Sequence, residues 1–424
     1  MNNLPEIIIP DEVKCIIDNL ENAGHEAYAV GGCIRDSLLS KEPKDWDICT
    51  SALPEQTIKC FKDLKGSHII ETGLQHGTVT LLLNHNPFEI TTYRVDGKYT
   101  DNRRPEKVEF VNVLKRDLAR RDFTINAMAY NPKTGLADYY GGCRDLAQRR
   151  IKCVGNPNRR FREDALRIMR ALRFAAELGF SIESDTSAAM RDNRKLLHNI
   201  AAERIAAELN KLLMGDKIHA LFSEHISVIG EIIPEISSIA GFGRILSGLE
   251  NAPKEIAVRL AILFCEIGDP QLSSDMAGAR LSRLRYDNDT LTTVTQLLLY
   301  RNCEIGGRQH IKRWLNKIGE KRFWQLIEVK KAEAMAQAEH IRQKKLDAVN
   351  EISAVADEII SKGQCYSLKH LALKGDDLIS AGIPQGIGIG IILDKLIDMV
   401  IDEKVANDKD ILLEISKTEL GKYT

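Results

Sequence analysis

The 424-residue sequence lacks paired cysteines, and this absence excludes two common kinds of site. Nine cysteines are scattered without any CxxC pair, and their odd number argues against a disulfide framework. We therefore expect reduced, mostly buried thiols. No short Cys or His spacing of the kind that zinc sites use occurs either, so any bound metal should have oxygen ligands.

Long apolar runs are also missing. No stretch approaches the roughly 18 residues that a membrane-spanning helix needs, and the first residues show no basic leader pattern. A hydrophobic content of 44% with 28% charged residues is typical of an ordinary globular protein. We expect a cytoplasmic protein without membrane contact, long enough for two to four domains.

The formal net charge is only -1, but the charge is unevenly distributed. Residues 94–173 hold 20 Lys and Arg against 10 Asp and Glu, a net charge of +10, and the remainder of the chain carries -11. Clustered cations suit a phosphate backbone or a triphosphate. A solvated charged surface is the alternative interpretation.

Strand-like and helix-like patterns separate along the chain. A helix is predicted over residues 13–23, a short strand over 26–30, and further strands over His68 to Val79 and in FEITTYR. From about Asn158 the apolar spacing is helical almost to the end. The predicted fold class is therefore α+β, with a mixed α/β N-terminal part followed by an all-helical remainder.

The first candidate site follows the strand over 26–30. Gly31 and Gly32 permit close approach of a phosphate to the backbone, although glycine pairs are often only structural. In the DWD segment, Asp45 and Asp47 are two apart, so in an extended strand both point to one face and suit Mg²⁺. Glu89, in FEITTYR, is the best candidate for a third carboxylate, with a solvent-facing strand acid as the alternative.

Several segments in this order resemble a known family. GGCIRD with DWD, GLQHGTVT, FEITTYR, DGKYTDNRRPEKVEF, RRDFTINAMAY, DYYGGCRDL, RRFREDALRIMRALRFAAELGF and AAERIAAEL are similar to the bacterial-type (class II) tRNA nucleotidyltransferases, the CCA-adding enzymes. The resemblance covers roughly residues 26–213. RRDFTINA and EDALRIMRALRFAAELGF are its longest and most specific segments.

The resemblance implies a role for each matching position. Asp45 and Asp47 correspond to the metal-binding pair, with Glu89 as the third carboxylate. The implied nucleotide-binding residues are Gly31, Gly32 and Arg35 for the triphosphate, Arg121 and Asp122 for the ribose, and Asp164 and Arg167 for the base. Further candidates for the triphosphate or the acceptor stem are Arg159, Arg160, Arg162, Arg170 and Arg173, with Arg103 and Arg104 in a loop that the family uses to switch from C to A addition.

The chemistry of the pair in EDALR agrees with base reading. Asp164 and Arg167 are three apart and would share one face of a helix. Cytosine and adenine both present an amine donor beside a ring-nitrogen acceptor, which a carboxylate and a guanidinium match. Guanine and uracil present the reverse order and would be mispaired. Without the resemblance, an intrahelical ion pair would be the better interpretation of these two residues.

The resemblance also implies an organisation and an activity. We expect a catalytic head over 1–150, a helical neck over 151–225, a body over 226–335 and a tail over 336–424. The expected activity is addition of CCA to the 3′ end of tRNA from CTP and ATP. The ETGLQHGTVT segment favours CCA addition over poly(A) addition. CC-only addition, A-only addition and an inactive tRNA-binding protein remain alternatives. The sequence does not indicate the oligomeric state. Candidates for contacting tRNA in the helical half are Lys330, Lys331, Lys344 and Lys345.

Overall fold

The computed structural model describes residues 5–71, 73–97, 108–237 and 239–420. The chain forms two compact units, Met1–Ser237 and Ser238–Thr424. Strands occur in the first unit, and the described part of the second is helical, so the predicted α+β class is confirmed. The predicted division into head, neck, body and tail stays a prediction. Arg103 and Arg104 lie outside the described residues.

The N-terminal part of the first unit alternates strands and short helices. Its α1 buries Val13, Ile16, Ile17 and Leu20, the face that helical spacing of its apolar residues predicts. Its elements are α1 (Asp11–Asn22), β1 (Ala27–Val30), α2 (Gly32–Leu38), β2 (Asp47–Thr50), α3 (Pro54–Phe61), β3 (Ser67–Ile70), β4 (Thr78–Leu83), β5 (Asn86–Thr92), β6 (Arg94–Asp96), β7 (Val108–Phe110), α4 (Leu114–Ala119), β8 (Ala129–Asn131), β9 (Gly135–Ala137), α5 (Gly142–Ala147) and β10 (Arg150–Ile151).

Seven of these strands form one mixed sheet in the order β3-β4-β5-β2-β1-β8-β9. Within it β2 and β5 run parallel, and the other neighbouring pairs are antiparallel. The parallel register places Asp47 opposite Glu89. The sheet therefore brings together two acids that are 42 positions apart in the sequence.

The prediction of one strand over His68 to Val79 was wrong. The segment contains two antiparallel strands, β3 and β4, separated by a 3₁₀ turn over Leu74–His76. Gly77 closes this turn with φ 77°, in the left-handed region that glycine tolerates. A Cβ atom at Gly73 would lie 2.7 Å from the Thr78 carbonyl oxygen. The tight chain reversal at the two glycines outweighs the apolar pattern.

The remaining elements of the first unit are mostly helical. One two-residue strand, β11 (Ser181–Ile182), lies within the part predicted to be all-helical and pairs parallel to β10. Gly179 ends α7 (Leu166–Leu178) with φ 66°, the left-handed conformation that glycine adopts where it terminates a helix. These elements are α6 (Pro157–Glu163), α7 (Leu166–Leu178), β11 (Ser181–Ile182), α8 (Ser184–Asn193), α9 (Ala202–Leu213) and α10 (Ile218–Ile232).

The second unit is built from helices α11 to α20. Its C-terminal helices close over an apolar cluster that includes Leu373, Leu378, Leu396, Ile401 and Leu412. The helices are α11 (Phe242–Asn251), α12 (Ile256–Phe264), α13 (Pro270–Arg283), α14 (Asn288–Tyr300), α15 (Arg308–Ile318), α16 (Glu320–Met335), α17 (Glu339–Ser361), α18 (Gly375–Ser380), α19 (Ile387–Ile401) and α20 (Lys409–Leu420).

Two expectations based on absence can be compared with the structure. All nine cysteines are free thiols, which agrees with the scattered spacing. Within residues 5–71, 73–97, 108–237 and 239–420, no helix combines the length and the apolar character needed to cross a bilayer.

Candidate active site

The glycine pair lies at the turn between β1 and α2. Gly31 has φ 87°, and its N–H donates to the Met128 carbonyl 3.1 Å away. A Cβ atom on Gly31 would lie 2.9 Å from Nη1 of Arg121, so the bare backbone is what lets that guanidinium approach. Gly32 begins α2 and leaves room beside it, with Arg35 Nη2 3.6 Å from where a Cβ would be. The turn therefore combines open backbone with a cation.

The three predicted carboxylates lie where β2 begins and beside it on the parallel strand β5, a place that we call the acidic edge. Asp47 is the first residue of β2, whereas Asp45 precedes the strand. Both are exposed while Trp46 and Ile48 are buried, which is the alternation expected of extended chain. Glu89 is exposed on β5, directly opposite Asp47. The prediction that Asp45 and Asp47 face the same side agrees with this burial pattern.

Charge at this edge is unbalanced. Partial desolvation raises the pKa of the Asp47 carboxyl, and the neighbouring carboxylates of Glu89 and Asp45 raise it further. The guanidinium of Arg121 opposes these effects and lowers the pKa of Asp47. The Arg121 guanidinium therefore lies beside the glycine turn and also stabilises the charged form of Asp47.

The donor set at this edge fits a divalent metal. Carboxylate oxygens are the ligands that hard divalent cations prefer, and the repulsion that raises the pKa of Asp47 would be relieved by positive charge. The side chains of Asp45, Asp47 and Glu89 do not converge on one position, however. Across the described ranges, no three His, Cys, Asp or Glu side chains converge enough to hold a metal by themselves. A triphosphate and water would have to complete the coordination.

A chain of hydrogen bonds connects the glycine turn to helix α7. The Arg35 guanidinium donates to Oδ1 of Asn126 at 2.7 Å and to the Asp36 carboxylate at 2.8 and 2.9 Å. Asn126 Nδ2 in turn donates to Oδ1 of Asp122 at 3.1 Å. Arg170, on α7, donates from Nε and Nη2 to Oδ2 of Asp122 at 2.8 and 2.6 Å. The predicted triphosphate and ribose residues are therefore in one network.

Asp122 is held as an anion. Burial by itself would raise the pKa of its carboxyl, but the Arg170 guanidinium and the Asn126 amide outweigh this effect and lower that pKa to about 2. The residue is only 8% exposed. Its Oδ1 also accepts the Phe123 N–H at 2.8 Å, so each carboxylate oxygen already accepts two hydrogen bonds and the side chain is fixed in orientation. The predicted contact of Asp122 with a ribose stays a prediction.

An aromatic ring gathers the arginines of the turn and of α7. Arg35, Arg170 and Arg173 all lie over Phe174, with the guanidinium carbon of Arg173 3.9 Å from the ring centroid. Arg173 also forms an ion pair with Glu208 of α9 at 2.7 Å. Burial lowers the pKa of Arg173, and Glu208 opposes this shift. The cluster positions Arg170 and Arg173 but gives each a protein carboxylate as partner.

The prediction that EDALR lies in one helix was wrong. Helix α6 ends at Glu163, and α7 begins at Leu166. Asp164 lies between them in an extended conformation, and its Oδ1 accepts the Leu166 N–H at 3.1 Å. Its other oxygen is 3.5 Å from Nη2 of Arg204. Asp164 therefore acts as a cap for α7 instead of sharing a helical face with Arg167.

Arg167 is paired with Glu163 and not with Asp164. Its Nη1 donates to Glu163 Oε2 at 3.1 Å and to the Arg160 carbonyl at 3.3 Å, and its Nη2 donates to the Arg120 carbonyl at 2.8 Å. The alternative interpretation, an intrahelical Asp164–Arg167 ion pair, is not formed among the described contacts. Because Glu163 neutralises Arg167 and the carbonyls fix its plane, the guanidinium is held in one orientation.

The neighbouring arginines surround a cavity of about 280 Å³ between α4 and α6. Arg159 and Arg160 both donate to Oε1 of Glu163, at 3.0 and 2.6 Å, and Arg162 is exposed. With Arg167 included, three arginines therefore donate hydrogen bonds to Glu163. The cavity is lined by Val95, Arg116, Ala119, Arg120, Tyr140, Val154, Gly155, Asn156, Arg159, Arg160 and Glu163.

The lysines predicted to contact tRNA differ in their surroundings. Lys330 donates to the carbonyl oxygens of Arg301 and Cys303 at 2.7 and 2.8 Å, and Lys331 pairs with Glu328 at 2.9 Å. Lys330 therefore has an internal role. Lys344 and Lys345 are exposed on α17. Contact of these residues with tRNA stays a prediction.

Three residues of the site were not predicted from the sequence. Asn126 lies within RRDFTINA, so that motif contained a signal for it. Phe174 looked like an ordinary apolar residue of α7. Glu208 reaches the site from α9, and no local pattern indicates that contact.

Three family models match successive parts of the chain. The Poly A polymerase head domain matches residues 27–152, the RNA and SrmB-binding site of polymerase A matches 179–225, and tRNA nucleotidyltransferase domain 2 matches 261–416. The first match contains the sheet, the glycine turn and the three carboxylates.

Relatives that match over almost the whole chain are CCA-adding enzymes. The CCA-adding enzyme of Limosilactobacillus reuteri (strain DSM 20016) is 35% identical, with 98% of this chain and 97% of the relative covered. That of Ligilactobacillus salivarius (strain UCC118) is 36% identical, with 96% and 97% covered. A solved structure of the Bacillus stearothermophilus CCA-adding enzyme in complex with CTP matches with a TM-score of 0.72 at 28% identity, covering 98% of this chain and 100% of that one.

Proposed function

The chain belongs to the CCA-adding enzyme family, and from this premise we propose that it adds the 3′-terminal CCA sequence to tRNA. In this reaction the 3′-hydroxyl of tRNA attacks the α-phosphate of CTP or ATP, and pyrophosphate leaves. No nucleic-acid template is used. We propose the cytoplasm as the compartment, because the tRNA substrates would be available there.

One observation carries the proposal. The sheet register brings Asp47 beside Glu89 at an edge where the Arg121 guanidinium also reaches the Gly31 turn. Acids for a metal and a cation with open backbone for a triphosphate therefore meet in one place. Most of the rate enhancement would come from positioning the substrates and from electrostatic stabilisation, because phosphoryl transfer requires little covalent chemistry from side chains.

The metal proposed for this edge is Mg²⁺, held by Asp45 and Asp47, with Glu89 as the third carboxylate. When bound, Mg²⁺ would polarise the α-phosphate and lower the pKa of the attacking hydroxyl. The sequence predicted Arg121 for the ribose, but its guanidinium lies beside the Gly31 turn, so we propose that it binds phosphate oxygens there instead. Asp122 would lie beside the ribose and hold Arg170 in place.

We propose that the base is read by Asp164 and Arg167. Arg167 uses three of its five N–H donors on Glu163, Arg160 and Arg120, so within the described structure two donors remain for a base. The Asp164 carboxylate would accept the exocyclic amine that cytosine and adenine share. Guanine and uracil present a carbonyl there, so the Asp164 carboxylate would face a second acceptor.

The catalytic edge can be tested with Asp45→Ala and Asp47→Ala. We expect both variants to lose incorporation of labelled CTP and ATP while retaining tRNA binding, because the acids act in transfer and not in gripping the tRNA. Asp63→Ala, which removes an exposed acid of the same unit, is the matched control and should keep wild-type incorporation. Retained turnover in both test variants would refute the metal assignment.

A further inference from the structure

A fully buried carboxylate lies behind the two arginines of the RRD segment. Asp117, on α4, has no solvent exposure. Its Oδ1 accepts Nε and Nη2 of Arg120 at 2.9 and 2.8 Å, together with the backbone N–H of Arg94 at 3.2 Å. Its Oδ2 is 3.8 Å from Nη2 of Arg121 and has no hydrogen-bond partner in the described part of the chain. One acid thus stands between two consecutive guanidiniums.

These two arginines contact different parts of the proposed nucleotide site. The Arg121 guanidinium contacts the open face of Gly31 and lowers the pKa of Asp47. Arg120 leads the other way, because its backbone carbonyl accepts the 2.8 Å hydrogen bond from Arg167 Nη2. Asp117 therefore contacts Arg121, which lies beside the proposed phosphate site, and Arg120, whose carbonyl binds Arg167 at the proposed base-reading site.

The charge of Asp117 has a physical consequence for both. A buried carboxylate is costly unless it is paired, and adjacent guanidiniums repel each other unless an anion lies between them. Arg120 is held by a two-donor contact, which also restrains the backbone that carries its carbonyl. Arg121 is held more loosely, at ion-pair distance, so its guanidinium can still move onto a phosphate.

We propose that Asp117 is a positioning residue that sets both Arg121 at the phosphates and the Arg120 carbonyl at Arg167, and so links nucleotide choice to transfer. This inference rests on the proposed function of the same site. Asp117 itself touches neither substrate nor metal. It acts only through its two arginine neighbours.

The test compares Asp117→Asn with Asp145→Asn. Asp145 is a matched control, because it too is fully buried and pairs with one arginine, Arg150, at 2.6 Å. Its other oxygen accepts the Thr124 hydroxyl, and among the described residues it contacts neither Arg120 nor Arg121. In Asp117→Asn we expect kcat/KM for CTP and ATP to fall by roughly 10- to 100-fold, as for other residues that orient reacting groups. The preference for CTP over UTP should fall as well, because Arg167 loses its fixed carbonyl.

A merely structural role predicts a different result. Both variants would then lose activity in proportion to the folded fraction measured by circular dichroism, and the CTP to UTP preference would stay at the wild-type value; that outcome overturns the proposal. Asp117→Glu, which keeps the charge, should recover part of the preference. Loss of all tRNA extension in the unmodified protein would instead refute the proposed function, so the two failures are distinguishable.

A second variant keeps the inference testable if Asp117→Asn does not fold. Arg120→Gln removes a partly exposed side chain and leaves Asp117 with Arg121. We expect it to weaken the CTP to UTP preference while the KM for CTP changes less than threefold. An unchanged preference in Arg120→Gln would contradict the connection from Asp117 to the base-reading side.

Discussion

Nη1 of Arg121 lies 2.9 Å from the position that a Cβ atom on Gly31 would occupy. This approach depends on the absence of a side chain, and Gly31 also has φ 87°. We predict that Gly31→Ala displaces Arg121 and lowers kcat/KM for CTP by about 100-fold, since misplacement of a binding group by about 1 Å has effects of this size. Steady-state incorporation of labelled CTP measures the loss.

Gly24→Ala is the control for backbone strain. Gly24 has the same φ of 87°, but a Cβ atom there would meet nothing within 4 Å. Both substitutions should cost about 1–2 kcal/mol of stability for the left-handed backbone. Only Gly31→Ala should impair transfer. Equal activity losses in the two variants would attribute the effect to folding and not to Arg121.

Removal of Arg167 should relax nucleotide selection. We predict that Arg167→Ala reduces the preference for CTP and ATP over UTP and GTP by roughly 10- to 100-fold, the discrimination of about 1–3 kcal/mol that a two-point base contact provides. Competition assays with all four nucleoside triphosphates measure it. Arg159→Ala also removes an ion pair to Glu163, but its side chain is 76% exposed and it should keep wild-type selection. Unchanged selection in Arg167→Ala would refute the base-reading role.

His225 should make stability depend on pH. It is buried at a kink in α10, and neither ring nitrogen has a hydrogen-bond partner within the described residues. Burial, reinforced by the nearby Arg191 guanidinium, lowers the pKa of His225 from 6.5 to about 4, despite Glu224 at 3.9 Å. The native protein therefore keeps this imidazole neutral while the unfolded chain binds a proton below pH 6.5.

The sign follows from that difference in proton binding. His225 leaves stability unchanged above pH 6.5 and reduces it progressively as the pH falls from 6.5 to about 4, by about 3 kcal/mol in all. Urea unfolding of His225→Leu should lack this component of the pH dependence. His198→Leu, which removes an exposed histidine paired with Glu231, should retain it. A wild-type pH dependence in His225→Leu would contradict the prediction.

The elements that positioned the site were largely predictable from local pattern. The two-residue spacing of Asp45 and Asp47 indicated that they share a face, and apolar spacing indicated the buried face of α1. The glycine turn before α2 followed from Gly31 and Gly32 after a short apolar strand. These features depend on neighbours in sequence, which periodicity and turn chemistry describe.

The break before α7 was not predictable in the same way. Glu, Ala, Leu and Arg are good helix formers, so the local preference of EDALR is to continue a helix. The observed break depends on the Asp164 side chain capping Leu166 and on Glu163 holding Arg159, Arg160 and Arg167. Asp is suited to caps because it hydrogen-bonds nearby backbone N–H groups. Only the tertiary contacts decide which preference prevails.

The most direct test of CCA addition uses three tRNA transcripts, one ending before the first C, one after the second C and one after the final A, each incubated with labelled CTP or ATP. We predict CTP incorporation into the first transcript, ATP incorporation into the second, CCA completion of the first when both nucleotides are present, and no extension of the third. Failure of the second transcript to accept ATP, extension limited to A on the first, or a growing A tail on the third would contradict this prediction.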